Sequence, residues 1–422
     1  MDSPDAIVGA QLRAARTAAG MSLDALASLI PSSKSALCYY ETGRRKPTTD
    51  VIAWYERCFG GTHDPTVMLL SLGKADVERR SFLRAGYSAA VSASVLNTGR
   101  TGSPVPDSRV AAGTRHVGRA DVTAVHDVIA LFSRIDQRHG GGHGRSAVVQ
   151  YLTTDVTSYL CGAFAEESVR HEMFSAAAEL AYLAGWMSFD NGEHAAAQRY
   201  FVAATKLATE ADDAPLTGHI LRAMAHQAID LGDPRSGLAL AEASVDGSRY
   251  RGACPRERAL LTVVHAKALS AAGRPRESAK ALLRAERDLA AACGSDAEPA
   301  RVFFFSEASL AHEAACALRD SGDLDGAAAQ FQLSARKRQA DMFTRTHAVT
   351  LGYLGTVQAR SGDLDLACAT WSSALDAMGG VRSGRTRTVA RDIRAVLEPH
   401  RDIPYMRAID DRAAQCLAAS TA

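Results

Sequence analysis

Residues 11–47 read QLRAARTAAGMSLDALASLIPSSKSALCYYETGRRKP, and the rest of the chain is organised outward from them. Apolar positions recur at helical spacing over 7–12, and Gly20 ends that segment as a C-cap glycine does. Ser22 suits the N-cap of a short helix over 23–30, with Leu23, Leu26, Leu29 and Ile30 on its apolar side. Pro31-Ser32-Ser33 breaks it, and Ser33 caps a helix over 34–40 whose inward residues are Leu37 and Tyr40. Gly43 closes that helix, Arg44-Arg45-Lys46-Pro47 forms a basic loop, and helices over 49–59 and 65–72 follow. Five short helices with a tight turn between the second and third are the layout of a helix-turn-helix module.

Beyond residue 168 internal repetition is the main signal. Gly192, Gly232, Gly273, Gly322 and Gly362 recur at intervals of 40, 41, 49 and 40 residues. Each is followed five positions later by a small residue: Ala197, Gly237, Ser278, Ala327 and Ala367. Nine positions later stand Phe201, Ala241, Leu282, Phe331 and Trp371, mostly bulky. A helix on either side of each glycine makes one hairpin per repeat, the small residue letting the helices approach. The chain is therefore expected to be all-α: a five-helix, phage-repressor-like module, then an α-solenoid of hairpins. Expected boundaries are 1–73 for the helix-turn-helix, 74–118 for a basic helix and mobile linker, and 119–168 for a helical pair. Repeats then fill 169–378 and capping helices 379–422. The linker expectation rests on 88–118, rich in Ser, Gly, Thr and Ala, with Pro104 and Pro106.

Composition excludes several classes. A net charge of +1 implies no whole-chain attraction to nucleic acid or membrane, so any basic surface is local. Eight scattered cysteines without a CxxC pair suit a reducing compartment rather than a disulfide frame or zinc site. The N-terminus lacks the apolar core of a signal peptide, and the longest uncharged run, 85–99, is too short to span a bilayer. Arg79-Arg80 resembles a twin-arginine export signal, but a whole domain precedes it; a cytoplasmic protein without membrane contact is expected. Gly140-Gly141-Gly142-His143-Gly144 lacks the Gly-Lys-Ser/Thr of a phosphate loop and reads as a flexible turn. His139 and His143 are too isolated for a metal site. Arg382, Arg385, Arg387, Arg391 and Arg394 read as a solvated capping helix. No nucleophile–base pair, metal cluster or dinucleotide fingerprint is present, so neither catalysis nor a cofactor is expected.

The framework of 11–47 resembles the phage-repressor-like (XRE) helix-turn-helix family without a gap. That resemblance implies an ion pair between Arg16 and Glu41 tying the first helix to the end of the recognition helix. It places Lys34, Ser35 and Tyr39 on the outer face, where they could enter a major groove. Ser22, Ser33, Arg44, Arg45 and Lys46 complete the expected DNA contacts. Leu23 stands where the family often has a DNA-contacting Gln, and Pro31 replaces its turn glycine, so the details of base readout depart. Seven Lys/Arg against six acids over 1–60 give few phosphate contacts per copy, and a homodimer on a two-fold operator of double-stranded DNA is expected.

The repeats resemble the tetratricopeptide repeat, with its first-helix glycine at Gly185 and Gly355, though the 40-residue spacing exceeds the family's 34. Gly185-Trp186-Met187, Ala197-Gln198-Arg199-Tyr200-Phe201 and His226-Gln227-Ala228 are similar to actinobacterial regulators that join an XRE module to such a domain. The resemblance implies a concave groove lined by Trp186, His219, Arg222, His226, Lys267, His312 and Arg319. That groove would be cationic and suited to a peptide carboxylate or small anionic effector. The alternative is that these are solvated residues on an open face. At the level of function, the rival is a protein-interaction adaptor whose helix-turn-helix does not bind DNA.

Overall fold

The computed structural model describes residues 115–292 and 298–419 continuously. Within the first 72 it describes 9, 12–13, 16–17, 21–29, 32–45, 47–48, 51, 54–55, 68–69 and 72. Gly20, Pro31, Lys46, Cys58, Arg79, Arg80, Cys293 and the linker up to 114 lie outside the described residues, as does most of 49–67.

Two consecutive short helices form the centre of the N-terminal module, α1 (Leu23–Leu29) and α2 (Lys34–Glu41). Each starts where a serine hydroxyl can accept an otherwise orphaned backbone N–H. Ser22 Oγ accepts from Ala25 N at 3.1 Å, and Ser33 Oγ accepts from Ala36 N at 3.2 Å. Gly43 sits at φ +68° beyond the end of α2, a conformation free of strain only for glycine. Leu12, Leu26, Leu37, Tyr40, Val51 and Tyr55 are buried together as the small core.

Residues 115–118 are not linker. His116–Val117 (β1) pairs in parallel with Ala163–Phe164 (β2), and Gly118 leads directly into α3 (Arg119–His139). Next come α4 (Arg145–Tyr151), a π-helical turn and α5 (Thr157–Leu160). Leu69 and Leu72, expected to close the first module, belong to the same buried cluster as Val117, Val122 and Val125.

Five helical hairpins follow. They are α6 (Glu167–Asp190) with α7 (His194–Glu210), and α8 (Ala214–Asp230) with α9 (Pro234–Ser244). After a single-turn helix α10 (Gly247–Arg251) come α11 (Pro255–Ala271) with α12 (Pro275–Ala290), and α13 (Glu307–Asp320) with α14 (Leu324–Lys337). The fifth is α15 (Thr344–Arg360) with α16 (Leu364–Ala377). All five turn glycines have φ between +74° and +91°. In each, the next residue's N–H reaches back to the carbonyl five residues earlier, as Asp233 N does to Ala228 O at 2.9 Å. This is the six-to-one bond of a Schellman stop, which needs a left-handed residue at its centre. The spacing logic is visible in the packing: a Cβ on Gly185 would lie 2.8 Å from the Phe201 ring, and one on Gly355 would lie 2.4 Å from Trp371 Nε1.

The C-terminal helices α17 (Gly384–Leu397) and α18 (Pro404–Ala419) were expected as a solvated cap. Instead α17 closes the array onto its beginning. Arg382 N donates to His139 O at 2.8 Å, and Gly142 N donates back to Arg382 O at 2.9 Å. Ser383 Oγ donates to Asp190 Oδ1 at 2.9 Å, and Arg387 donates to Asn191 O at 2.9 Å. The glycine run 140–142 is accordingly a packed turn, not a flexible one. A Cβ on Gly141 would meet Met187 O at 2.3 Å, so only glycine lets these segments touch. Among the described residues no helix is long and apolar enough to cross a membrane.

Candidate functional site

The outer face of α2 is assembled by its burial pattern. Leu37, Tyr40 and Glu41 turn inward. Lys34, Ser35 and Tyr39 are exposed, Tyr39 at 47%. Ser35 and Tyr39, four residues apart, share one edge, and Lys34 stands about 100° around the helix from Ser35. Ser22, Ser33, Arg44 and Arg45 are exposed as well, and the Arg45 guanidinium lies 5.5 Å from the centre of the Tyr40 ring. Lys34 Nζ bonds Asp24 Oδ2 at 2.6 Å, with both groups open to water. Such a solvated pair is weak, so a phosphate can compete for the lysine at little cost.

The edge is held from behind by a buried network. Arg16 Nε and Nη2 donate to Glu41 Oε1 and Oε2 at 2.6 and 2.7 Å. Arg16 Nη1 donates to Met21 O at 2.7 Å, and Tyr55 Oη donates to Glu41 Oε1 at 2.7 Å. The forked ion pair ties the first helix, the turn and the end of α2 into one rigid unit. Burial, together with the carboxylate, raises the Tyr55 phenol and keeps it a donor.

The inner side of the hairpin array differs from the expected open, cationic groove. His219, Arg222, His226, Lys267 and His312 are all buried, and carboxylates stand among them. His219 Nδ1 lies 2.9 Å from Glu257 Oε1, while its Nε2 lies 3.0 Å from Arg222 Nη2. Burial and the Arg222 charge lower the imidazole to about 4, so it is neutral. A guanidinium only donates, so Nε2 accepts and the proton sits on Nδ1, bonded to Glu257. Burial would raise Glu257, but Arg301 and His219 hold it near 2. Arg301 is gripped by both Glu257 oxygens and by Glu179 Oε1 at 3.1 Å. Lys267 pairs with Asp230 at 3.1 Å, and the buried carboxylates hold the ammonium above its usual range. Burial also lowers His226 and His312, while Arg319 turns aside to Asp320 at 2.8 Å.

The array holds on its inner side a cavity of about 80 Å³ that opens to solvent beside the exposed Phe303. Three of the seven expected groove residues, Trp186, Arg222 and His312, line it. The sequence reading missed the rest of its charge: Arg301, Arg338, Arg345 and Arg385, with Asp136, Glu179 and Glu313. Glu313 and Arg345 lie on first helices, and Phe303-Phe304-Phe305 is an unusual aromatic run that could have drawn notice. Arg385 arrives from α17 only because the array closes, which no local pattern signals. Arg345 links the start and end of the array, meeting Asp136 at 3.1 Å and Asp190 at 3.2 Å.

No curated protein matches the chain. Residues 7–65 match the model of a helix-turn-helix domain family, so the chain carries at its N-terminus a domain of the kind that binds DNA in regulators.

Proposed function

We propose that the chain is a transcription regulator acting as a homodimer. One helix-turn-helix per copy reads half of a two-fold DNA site, and the hairpin array senses a peptide or small anionic effector. The single observation that supports this most is the solvent-facing edge of α2, where Lys34, Ser35 and Tyr39 stand clear of the core beside Arg44 and Arg45. Lysine suits guanine acceptors, serine is permissive, and tyrosine can meet a phosphate or a thymine methyl. The N-terminal module resembles the XRE type and the array resembles tetratricopeptide repeats. In this reading the protein acts by binding, not by catalysis.

Dimerisation supplies what one module lacks, because seven basic groups offset by six acids over 1–60 give weak binding at physiological salt. Effector binding would change the curvature of the array and so the spacing of the two DNA heads. Fluorescence anisotropy with DNA from the chain's own upstream region tests the first part. Affinity should fall steeply with added salt and with Lys34→Ala plus Arg45→Ala. Unchanged affinity in the double variant would defeat the reading.

A further inference from the structure

We infer that the interior cavity is a binding site for a compact aromatic dianion, a phosphate ester or paired carboxylates on a flat ring. This deepens, and rests on, the reading of the array as a sensor. Five arginines and three carboxylates line the cavity, and the further carboxylates Glu257 and Asp190 meet two of those arginines from outside the lining. Two of the arginines are spoken for, Arg301 by Glu257 and Glu179, and Arg345 by Asp136 and Asp190. The other three are not.

Arg222, 2% exposed, bonds only the Tyr182 hydroxyl and His219, both neutral, and no carboxylate lies within ion-pair distance among the described residues. Arg338, 8% exposed, donates to Ala308 O and Ser334 Oγ. Burial lowers it to about 10. Arg385 makes no side-chain hydrogen bond or ion pair with any described residue; Asp190, Asp230 and Glu313 favour its charge only from a distance. The Nε of all three lacks a partner. Burying a guanidinium without a carboxylate is costly, and with Arg222 and Arg338 buried and Arg385 half-buried around one cavity, the fold has left room for an anion to complete them. Flat walls set the rest of the ligand. Trp186, Phe303 and Phe304 line the same space, and the Arg222 guanidinium lies 5.5 Å from the Trp186 ring. A volume of about 80 Å³ admits the equivalent of half a dozen or so waters and excludes a peptide strand. The three arginines come from α8, the end of α14 and α17, so one ligand would join the beginning of the array to its end.

Calorimetry on the full chain with phenyl phosphate, phthalate and benzyl alcohol tests this. Phenyl phosphate or phthalate should bind one per chain, which of the two binds tighter separating phosphate from carboxylates, and benzyl alcohol should not bind. Arg338→Gln and Arg385→Gln should each weaken the anion by about tenfold or more, the worth of a charged hydrogen bond. Arg385 has no hydrogen-bonded or ion-paired partner to lose, only charge at a distance, so ligand-free Arg385→Gln should melt closer to the wild type than Arg345→Gln does. A melt as low as that of Arg345→Gln would make the Arg385 guanidinium structural and overturn the inference. So would an absence of binding by either anion, equal binding of benzyl alcohol, or undiminished affinity in the variants. Operator affinity with and without ligand is measured separately. Binding that leaves it unchanged keeps the site and removes the sensing reading, whereas no binding removes the site and leaves a peptide effector open to test.

Discussion

Arg345 is the joint that closes the array, and Arg345→Met isolates its contribution. The guanidinium is 1% exposed and bridges Asp136, 1% exposed, to Asp190, 0% exposed. Asp190 keeps the Ser383 hydroxyl and the Gly141 N–H after the substitution. Asp136 loses its ion-pair partner outright. Removing one member of a buried pair costs about 3–5 kcal/mol, because the survivor is left charged without water. The loss should depend on pH. Burial and the Asp190 charge, opposed by Arg345, already place Asp136 above the ordinary carboxylate value of 3.8. Without Arg345 it rises further. A raised folded-state pKa contributes stability that is complete below the unfolded value and disappears as pH climbs through the folded one. The deficit of Arg345→Met should therefore be small near about pH 5, where Asp136 at about 7 is protonated with or without its partner, and grow toward about pH 9. Urea unfolding of the full chain, followed by helical circular dichroism at both pH values, measures it. Adding Asp136→Asn should recover most of the loss, since the two positions are directly coupled. A cost under about 1 kcal/mol near about pH 9, or a deficit that shrinks as pH rises, would refute the view that these charges hold the closure.

Glu41→Ala strands the buried Arg16 and removes the acceptor of Tyr55; it should cost the N-terminal module about 3 kcal/mol and abolish DNA binding at growth temperature. A far-ultraviolet melt of the variant beside an anisotropy titration checks both effects. Gly355→Ala places a methyl 2.4 Å from Trp371 Nε1, so overpacking should lower stability by about 1–3 kcal/mol, read as a shifted urea midpoint. His219 falls from 6.5 to about 4 on folding because burial and Arg222 disfavour its charge. Its depressed value gives stability that is present above about 6.5 and is lost as pH falls toward 4, roughly 3 kcal/mol in all. The wild-type loss over that interval should exceed that of His219→Asn, and equal slopes would count against a buried neutral imidazole.

Much of the local architecture is written in short-range patterns. Ser22, Ser33 and Gly43 bound α1 and α2 because capping and left-handed stops act within a few residues. Gly192, Gly232, Gly273, Gly322 and Gly362 announce the hairpins for the same reason, while the outward placing of Lys34, Ser35 and Tyr39 came from the resemblance to the XRE framework. The expected groove was legible only in part. The tetratricopeptide resemblance named Trp186, Arg222 and His312, which line the cavity, yet it could not say that Glu257, Asp230 and Glu313 would meet His219, Lys267 and His226 across 37 to 87 residues of sequence. Nor could it say that the array would bend until α17 met α6. That closure is made by Ser383 and Arg387 reaching Asp190 and Asn191 and by Gly141 admitting Met187 at contact distance. It turns Arg385 from a presumed surface charge into the wall of a cavity. The amino-acid order by itself determined where helices begin, stop and face, since each of those depends on neighbours along the chain. Only the tertiary structure decided which charges are paired and which are left waiting, since burial and proximity are properties of the closed array.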